Sequence, residues 1–301
     1  MAAETEIKLT VLPTHRERIV AFCRHLGAGP SEPRHLKNQY FDTPQSTLNE
    51  ARAALRIREV DGRWIQTLKT KGVIDRGVHR RQEWEWALPE PELDLELLEQ
   101  TDLKRSVDLA NLKPVFQTNF QRDLWLLDSV ANQAVEMALD HGEILAGGRR
   151  RSLCEFECEH KGGDDSETLL HLVRRLLEWA PAFINPVSKA EQGYYLAGLY
   201  RPEPPVNNDA NARVTTWLQA TGLAWLTSDP RHLQAAVSLL EQLRAEAGSP
   251  QVIAHMDAML ARWEPALVDV PENWDDLFLA DYQLGLLQLE LLENPASTRE
   301  Q

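Results

Sequence analysis

Charged side chains recur at every second position in six segments of the first 160 residues. Side chains of a β-strand alternate between two faces, so this spacing puts the charges of each segment on one face and bulky apolar groups on the other. A solvated sheet face usually mixes in hydroxyl and amide side chains, whereas here acids follow acids and bases follow bases. The pattern favours a charged interior over a solvated face, which stays the alternative. The charged positions are Glu4, Glu6 and Lys8; Arg56 and Arg58; Lys69 and Lys71; Arg81, Glu83 and Glu85; Glu136 and Asp140; and Glu155, Glu157 and Glu159.

An interior of this kind could bind a polyphosphate together with a divalent metal ion. Arginine and lysine neutralise phosphate oxygens, and arginine can contact two of them at once. The glutamates alone would repel a polyphosphate, but carboxylate oxygens are the ligands that hard divalent cations prefer. Positioning and charge neutralisation are most of what phosphoryl transfer requires of a protein. The residues therefore predict a site for a metal–polyphosphate complex.

The elements that would carry these residues are mostly strands. The fold class predicted is α+β, with an eight-stranded antiparallel β-barrel and flanking helices, followed by a small all-α domain. Eight antiparallel strands suffice to close a barrel, and closure removes exposed edges. Asp61 and Gly62 indicate a hairpin, and Gly142 indicates a turn before a further strand near 143–146. The strands are predicted at 4–11, 36–42, 55–60, 64–71, 79–88, 115–127, 135–139 and 153–161, and the helices at 13–26, 167–179 and 190–199.

The chain divides at 201–211, where three prolines and a polar cluster predict a linker. We expect a barrel domain at 1–200 and a helical domain at 212–301, with helical spacing at 233–247 and 252–263. Only six basic residues follow Tyr200, against fifteen acidic ones. This balance predicts that the helical domain does not bind polyphosphate and is not required for the chemistry, and that it packs against the barrel or another chain.

Composition excludes several classes of function. The net charge of −14 over 301 residues argues against nucleic acid or an anionic membrane as a partner. No apolar run approaches the roughly 20 residues that span a bilayer, and the first residues do not form a secretory signal. Three cysteines, Cys23, Cys154 and Cys158, are too few for a disulfide framework, and the last two are predicted to be core residues. We expect a cytoplasmic protein with a small-molecule partner, with a monomer slightly favoured.

A series of ordered motifs resembles the CYTH superfamily, the triphosphate tunnel metalloenzymes. Glu4, Glu6 and Lys8 match its ExExK signature, which alone is weak, but the further blocks follow in order over about residues 4–200. The blocks are NQYFDTP at 38–44, ALRIRE at 54–59, TLKTKG at 67–72, RQEWEW at 81–86, NFQRDLW at 119–125, MALDHGEI at 137–144, CEFECEHKGG at 154–163 and SKAEQGYYL at 188–196.

The resemblance implies roles for individual residues. It implies metal binding by Glu4, Glu6, Asp140, Glu157 and Glu159. It implies substrate binding by Arg56, Arg58, Lys69, Lys71, Arg81 and Arg122. It implies catalytic roles for Lys8, Lys189, Glu83 and Glu85. Two points stay open: Arg122 shares its parity with Phe120 and Leu124, so alternation does not itself turn it inward, and Lys69 and Lys71 lie on one predicted face.

The resemblance also implies a function. We expect a metal-dependent inorganic triphosphatase that uses Mg²⁺ or Mn²⁺ to cut tripolyphosphate into pyrophosphate and phosphate. The alternatives are a thiamine triphosphatase or class IV adenylyl cyclase on the same tunnel, or a polyphosphate-binding module without turnover. Bacterial inorganic triphosphatases of this superfamily often carry a helical CHAD domain after the tunnel. The short acidic tail resembles a degenerate or truncated version of it.

Overall fold

The computed structural model describes residues 2–29, 33–70, 73–75, 78–101, 103, 109–128, 134–160, 166–206, 209 and 212–293. Ten strands are present there: β1 Ala2–Val11, β2 Arg34–Asp42, β3 Ala54–Val60, β4 Arg63–Lys69, β5 Val73–Asp75, β6 Val78–Leu88, β7 Lys113–Asp128, β8 Ala134–Ala146, β9 Arg149–His160 and β10 Ala182–Ile184. The helices are α1 Arg16–His25, α2 Thr47–Glu50, α3 Leu95–Leu98, α4 Ser166–Leu177, α5 Lys189–Ala197, α6 Arg213–Thr227, α7 Pro230–Glu246, α8 Pro250–Ala266, α9 Asp275–Leu279 and α10 Gln283–Glu293.

Eight of the strands form a closed antiparallel ring. Their order is β1-β9-β8-β7-β2-β3-β4-β6, and the pairing of β1 with β6, from Ala2 opposite Glu83 to Ile7 opposite Val78, joins the two ends. The later residues of β1 pair instead with β10, and β5 adds to the far edge of β6. The predicted eight-stranded barrel is confirmed. Closure leaves the inward face of every ring strand directed at a common interior.

The outward faces supply the main hydrophobic core. Apolar residues of β1, β8 and β9 pack with α1 and α4, as the alternation of the sequence predicts. Cys23, Cys154 and Cys158 are buried free thiols in this core, which confirms the position predicted for Cys154 and Cys158. On the other side of the ring, Trp84 and Trp86 pack against a smaller cluster that includes residues of α2 and α3. Both tryptophans therefore face outward, away from the charged interior.

Helix α5 fills part of the barrel interior with apolar groups. Its Tyr194 packs edge-on against Phe116 of β7, with ring centroids 5.1 Å apart, and belongs to a cluster that includes Phe120. A Cβ atom at Gly193 would lie 2.1 Å from the Phe116 ring, so only glycine permits this approach. The interior is thus apolar beside α5 and charged beyond it.

The helical region shares one core with the barrel. Gln288 of α10 hydrogen-bonds both the N–H and the carbonyl of Ile184 in β10, at 2.6 and 3.0 Å. Phe183 of β10 packs against Trp225 and Phe278 of the helices, with centroids 6.1 and 5.8 Å apart. No helix among the described residues is long and apolar enough to cross a membrane. Buried residues on both sides of 201–211 belong to one hydrophobic cluster. The division into domains at 201–211 stays a prediction.

One local prediction is wrong. Gly142 is not a turn residue, because β8 continues through it from Ala134 to Ala146. It lies opposite Phe120 of β7, and a Cβ atom there would lie 2.2 Å from the carbonyl oxygen of Asn119. Glycine in a strand interior often marks such a close backbone approach. The sequence analysis also did not identify β5, β10, α2, α3, α6, α9 or α10.

Candidate functional site

The barrel interior contains a cavity of about 700 Å³, within the usual size range of small-molecule sites. Its lining includes side chains from all eight strands of the ring and from α5. Among the residues predicted for the site, the lining includes Glu6, Lys8, Arg56, Arg58, Lys69, Glu83, Glu85, Arg122, Glu157, Glu159 and Lys189. Lys71 lies outside the described residues, and so do the side chains of Glu4 and Arg81, whose backbones lie in β1 and β6.

Three carboxylates lie side by side on the acidic part of the lining. Glu159 of β9 is the register partner of Glu6 in β1 and of Glu136 in β8, and all three line the cavity. Side chains directly opposite on neighbouring strands are about 5 Å apart at Cβ, close enough for strong repulsion between like charges. We call these three residues the acidic row; their adjacent carboxylate oxygens are suited to contacting a cation bound in the cavity.

The acidic row is not a complete metal site by itself. Among the described residues, no three acidic, imidazole or thiol side chains are arranged so that they could hold a metal ion. Oxygen ligands from a bound phosphate would complete the coordination. The donors present are carboxylate oxygens, which fit Mg²⁺ or Mn²⁺ better than a soft metal.

Arginine and lysine residues lie across the ring from the acidic row. Strands β9 and β3 are four places apart in either direction around the eight-strand ring, so they face each other. Arg56 and Arg58 of β3, with Lys69 of β4, form what we call the basic wall. A ligand in the cavity would therefore meet carboxylates on one side and cations on the other.

Within the basic wall, Arg58 has a neutral partner. Its Nε donates to Oδ1 of Asn38 at 2.8 Å. Burial and the neighbouring cations Arg56 and Arg122 lower the pKa of Arg58 to about 9. Burial is the largest cause of this shift and the two cations add to it, so a bound anion would stabilise the charged guanidinium. Arg58 is thus the clearest phosphate-binding candidate in the wall.

The other two cations of the basic wall have carboxylate partners. Lys69 Nζ lies 2.9 Å from Oε2 of Glu83, and Arg56 Nη2 lies 3.8 Å from Oε1 of the same residue. Arg56 Nη1 also donates to the hydroxyl of Tyr40 at 3.4 Å. Burial raises the pKa of Tyr40, but Arg56 and Arg58 outweigh it, so the net shift is downward. Glu83 thus orients both cations toward the cavity.

A second group, the lysine cluster, joins two cations to two buried carboxylates and a half-buried one. Lys189 Nζ lies 2.6 Å from Glu155, 2.7 Å from Glu157 and 2.9 Å from Asp140. Arg122 bonds both oxygens of Asp140 at 2.7 Å and Oε2 of Glu157 at 2.7 Å. Asp140 is fully buried, and each of its oxygens accepts from a cation. In this geometry Asp140 anchors Arg122 and Lys189.

The charges of the lysine cluster stabilise one another. Burial lowers the pKa of Lys189, but Asp140, Glu155 and Glu157 outweigh it and raise the pKa well above its ordinary value. Burial likewise raises the pKa of Glu157, but Lys189 and Arg122 hold it well below the ordinary carboxyl range. Lys189 and Glu157 are therefore both ionised at neutral pH.

Lys8 occupies a different environment from Lys189. Its Nζ donates to the carbonyl oxygen of Val187 at 2.5 Å, in the segment between β10 and α5. Burial lowers the pKa of Lys8 below its ordinary value, although Glu155 opposes the shift. A lysine that burial makes easier to deprotonate, and that lines the cavity, is a candidate for proton transfer as well as for charge neutralisation.

The structure resolves one open point of the sequence analysis and adds residues that the analysis did not assign. Arg122 lies in the cavity although Phe120 shares its face, because Phe120 lies where α5 fills the interior. Glu155 and Tyr40 were not predicted as site residues. The strict alternation of acids in β9 was a signal for Glu155, but no periodicity marks Tyr40, which only the closure of the barrel brings to Arg56.

Comparisons with known proteins agree with this architecture. The CYTH domain model matches residues 2–194. An inorganic triphosphatase of Haemophilus influenzae is 30% identical over 197 residues, which is 65% of this chain and 55% of that protein. This chain thus spans about half the length of that relative.

Two solved structures are also similar. A Hippeastrum protein described by a dominant triphosphatase activity is 21% identical, with 66% of this chain and 98% of that chain covered and a TM-score of 0.47. A Pyrococcus horikoshii protein is 20% identical, with 58% and 89% covered and a TM-score of 0.39. Because the family model matches more than half of the sequence, this chain belongs to the CYTH family.

Proposed function

We propose that this protein is a metal-dependent inorganic triphosphatase that hydrolyses tripolyphosphate to pyrophosphate and phosphate. The observation that carries the proposal is the arrangement of the cavity, with the acidic row on one side and the basic wall opposite it. A pure anion-binding site would not need a row of carboxylates, and a pure cation site would not need the basic wall. The two together fit a polyphosphate with its metal ion.

The role proposed for each residue follows from its position in the cavity. Arg56, Arg58 and Lys69 would bind the phosphate oxygens, and their preorganised charges would stabilise the negative charge that develops during transfer. Carboxylates of the acidic row would supply some of the ligands of Mg²⁺ or Mn²⁺ and phosphate oxygens of the substrate the others, and the charge of the ion would further neutralise the phosphates.

Hydrolysis then follows ordinary phosphoryl transfer. A water oxygen forms a bond to the terminal phosphorus, the bridging P–O bond breaks, and pyrophosphate leaves with the bonding electron pair. A cavity carboxylate such as Glu83 or Glu85 takes the proton of the water, and Lys8 or Lys189 neutralises the leaving oxygen. These roles rest on the position of each side chain in the cavity lining.

An organic triphosphate is the second candidate substrate. Leu36, Val60, Ile65 and Leu124 contribute apolar surface to the same cavity, and such a surface would suit a base or thiazole ring beyond the phosphates. A thiamine triphosphatase or an adenylyl cyclase would use it in this way. A polyphosphate-binding module without turnover is the non-enzymatic alternative.

A substrate panel tests the proposal. Tripolyphosphate, ATP, thiamine triphosphate and long polyphosphate are each incubated with Mg²⁺, Mn²⁺ or excess chelator, and phosphate and cyclic AMP are measured. We expect tripolyphosphate to be cut fastest, and only with a divalent ion. Full phosphate release in chelator would rule out the metal requirement, and faster cleavage of an organic triphosphate would favour the second candidate.

A matched pair of variants tests the acidic row. Glu6→Gln keeps the shape of a cavity carboxylate but removes its charge, so we expect at least a tenfold loss of metal-dependent activity. Glu241→Gln makes the same change on the exposed face of α7 and should leave activity unchanged. Equal activities of the two variants would contradict the role given to the acidic row.

A further inference from the structure

One face of α6 reaches the cavity, although α6 follows the residues matched by the CYTH domain. Gln219 and Leu223 of this helix both belong to the cavity lining. They are four residues apart, and residues at that spacing lie on one helix face. The region that the sequence analysis set apart from the chemistry therefore forms part of the wall of the candidate site.

The close approach of α6 depends on Gly222. A Cβ atom at this position would lie 2.4 Å from Oδ1 of Asn185 and 3.0 Å from Cγ2 of Val187. Real Cβ atoms essentially never approach another heavy atom as closely as 2.4 Å, so a larger residue would displace the helix or the 185–188 segment. Glycine here brings Gln219, on the preceding turn, to the cavity.

The segment under Gly222 positions two cavity lysines. Oδ1 of Asn185 accepts from the N–H of Val187 at 3.0 Å, and the carbonyl of Val187 accepts from Lys8 Nζ. Helix α5 begins two residues later at Lys189. Contact with α6 is thus transmitted to both lysines through a short, hydrogen-bonded segment.

The C-terminal end of α6 contacts the barrel and α5. Arg151 of β9 donates to the carbonyl of Leu226 at 2.8 Å, and its guanidinium carbon lies 4.4 Å from the centre of the Trp225 ring. The hydroxyl of Tyr195 in α5 donates to the carbonyl of Thr227 at 3.2 Å. A cation at a helix C-terminus is electrostatically favourable. These contacts make α6 a fixed wall of the cavity.

The side-chain amide of Gln219 is available to a ligand. It is half-buried at the cavity, and within the described part of the chain no residue hydrogen-bonds it. An amide N–H is a neutral donor that suits a phosphate oxygen without changing the charge of the site. We propose that Gln219 contacts the bound triphosphate and that α6 thereby completes the substrate site. This inference rests on the proposed function.

The test uses the full chain with Gln219→Ala and Gln219→Glu. Hydrolysis of tripolyphosphate gives KM and kcat, and calorimetry with tripolyphosphate alone gives Kd. Loss of one hydrogen bond to a charged oxygen should raise KM and Kd about tenfold in Gln219→Ala. The contact exists before and during the reaction, so kcat should stay within about twofold. Gln219→Glu adds a carboxylate beside an anion and should raise KM further.

The matched control is Gln234→Ala, on the exposed face of α7. It should leave KM, Kd and the melting temperature unchanged. If Gln219→Ala lowers only the melting temperature and leaves Kd at the wild-type value, Gln219 is structural and the inference is overturned. If the wild-type chain binds tripolyphosphate and both Gln219 variants bind it equally well, the inference alone fails. If the wild-type chain neither binds nor cuts it, the proposed function fails as well.

Discussion

Lys189 and Arg122 hold together the carboxylates of Asp140, Glu155 and Glu157 in the barrel interior. Each carboxylate lies within 2.9 Å of a cation nitrogen, and the two cations share Asp140 and Glu157. Ionised groups in a buried site are tolerated only when they are paired. The charges of the lysine cluster are therefore paired with one another before any ligand binds. The basic wall and the acidic row, in contrast, are arranged to contact a ligand.

We expect Lys189→Met to lower the free energy of unfolding by about 3–5 kcal/mol at pH 7, because it removes the cation beside the buried Glu155 and one of the two cations that Asp140 and Glu157 share. The pKa of Glu157 is lowered in the folded state, so its stabilisation is present above its ordinary pKa and is lost as the pH falls below it. The effect of the substitution should therefore be smaller near pH 4 than at pH 7. Urea titrations at the two pH values measure it.

Lys37→Met is the matched control for this variant. Lys37 pairs with Glu59 at 3.3 Å, but its side chain is 65% exposed, and such pairs contribute about 1 kcal/mol or less. A loss of stability in Lys189→Met no larger than in Lys37→Met would contradict the account of the lysine cluster.

A second residue-scale prediction concerns Arg58. Its guanidinium lines the cavity, donates to the neutral Asn38 and is charged at pH 7. We expect Arg58→Gln to weaken the binding of tripolyphosphate about tenfold at pH 7, because one charge-assisted hydrogen bond is lost. Calorimetry without metal measures Kd, and Gln234→Ala on the exposed face of α7 is the control. Equal Kd values for Arg58→Gln and the wild-type chain would remove Arg58 from the binding site.

At the scale of elements, glycines set how closely the parts of the barrel approach. Gly193 lets α5 enter the interior beside Phe116, Gly142 lets β8 pass Asn119 and Phe120, and Gly285 brings α10 against the carbonyl of Ala182. None of these positions has a backbone conformation that itself requires glycine. Glycine is required at these positions because neighbouring atoms leave no room for a Cβ atom. At Gly193 this close contact sets how far α5 extends into the barrel interior.

We expect Gly142→Ala to lower the free energy of unfolding by about 1–3 kcal/mol, the usual cost of overpacking. The added methyl group would lie 2.2 Å from a backbone oxygen, which cannot rotate away as a side chain can. Gly29→Ala is the control, since a Cβ atom there meets nothing within 4 Å. Chemical denaturation of both variants gives the comparison, and equal stabilities would show that β8 relaxes freely at Gly142.

At the scale of the whole molecule, the barrel and the helical region are joined by one hydrophobic core. Buried residues of β1 and β9 belong to the same cluster as those of α6, α8 and α10. The short strand β10 lies at the join, with Phe183 under the helices and Ile184 bonded to Gln288.

A chain that ends at Tyr200 is therefore expected to lose cooperative unfolding and to associate, since the buried residues Phe183 and Ile184 would be exposed. Size-exclusion chromatography and circular dichroism during thermal unfolding measure this. A chain that ends at Glu293 keeps every described helix and should match the full chain. A soluble, active and cooperatively unfolding chain ending at Tyr200 would instead support an independent barrel domain, as the sequence analysis expects.

The sequence by itself determined that the chain forms a barrel and that the barrel interior is charged. The reason is that the two-residue period of a strand assigns each side chain to one face, whatever its neighbours are. Glu6, Arg56, Arg58 and Glu157 were found in this way, and their roles stay predictions. Arg122 came from the resemblance, since alternation could not separate it from Phe120.

Tertiary structure alone decided which faces oppose each other and what closes the cavity. The order of strands around the ring places Glu159 across from Arg58, and no local pattern encodes that order. The burial of Asp140 under two cations, the pairing of Arg56 with Tyr40 and the arrival of Gln219 from α6 all join residues far apart in the chain. Periodicity describes an element, whereas these contacts depend on how elements pack, and packing is set by the shapes of groups that meet only in the folded state.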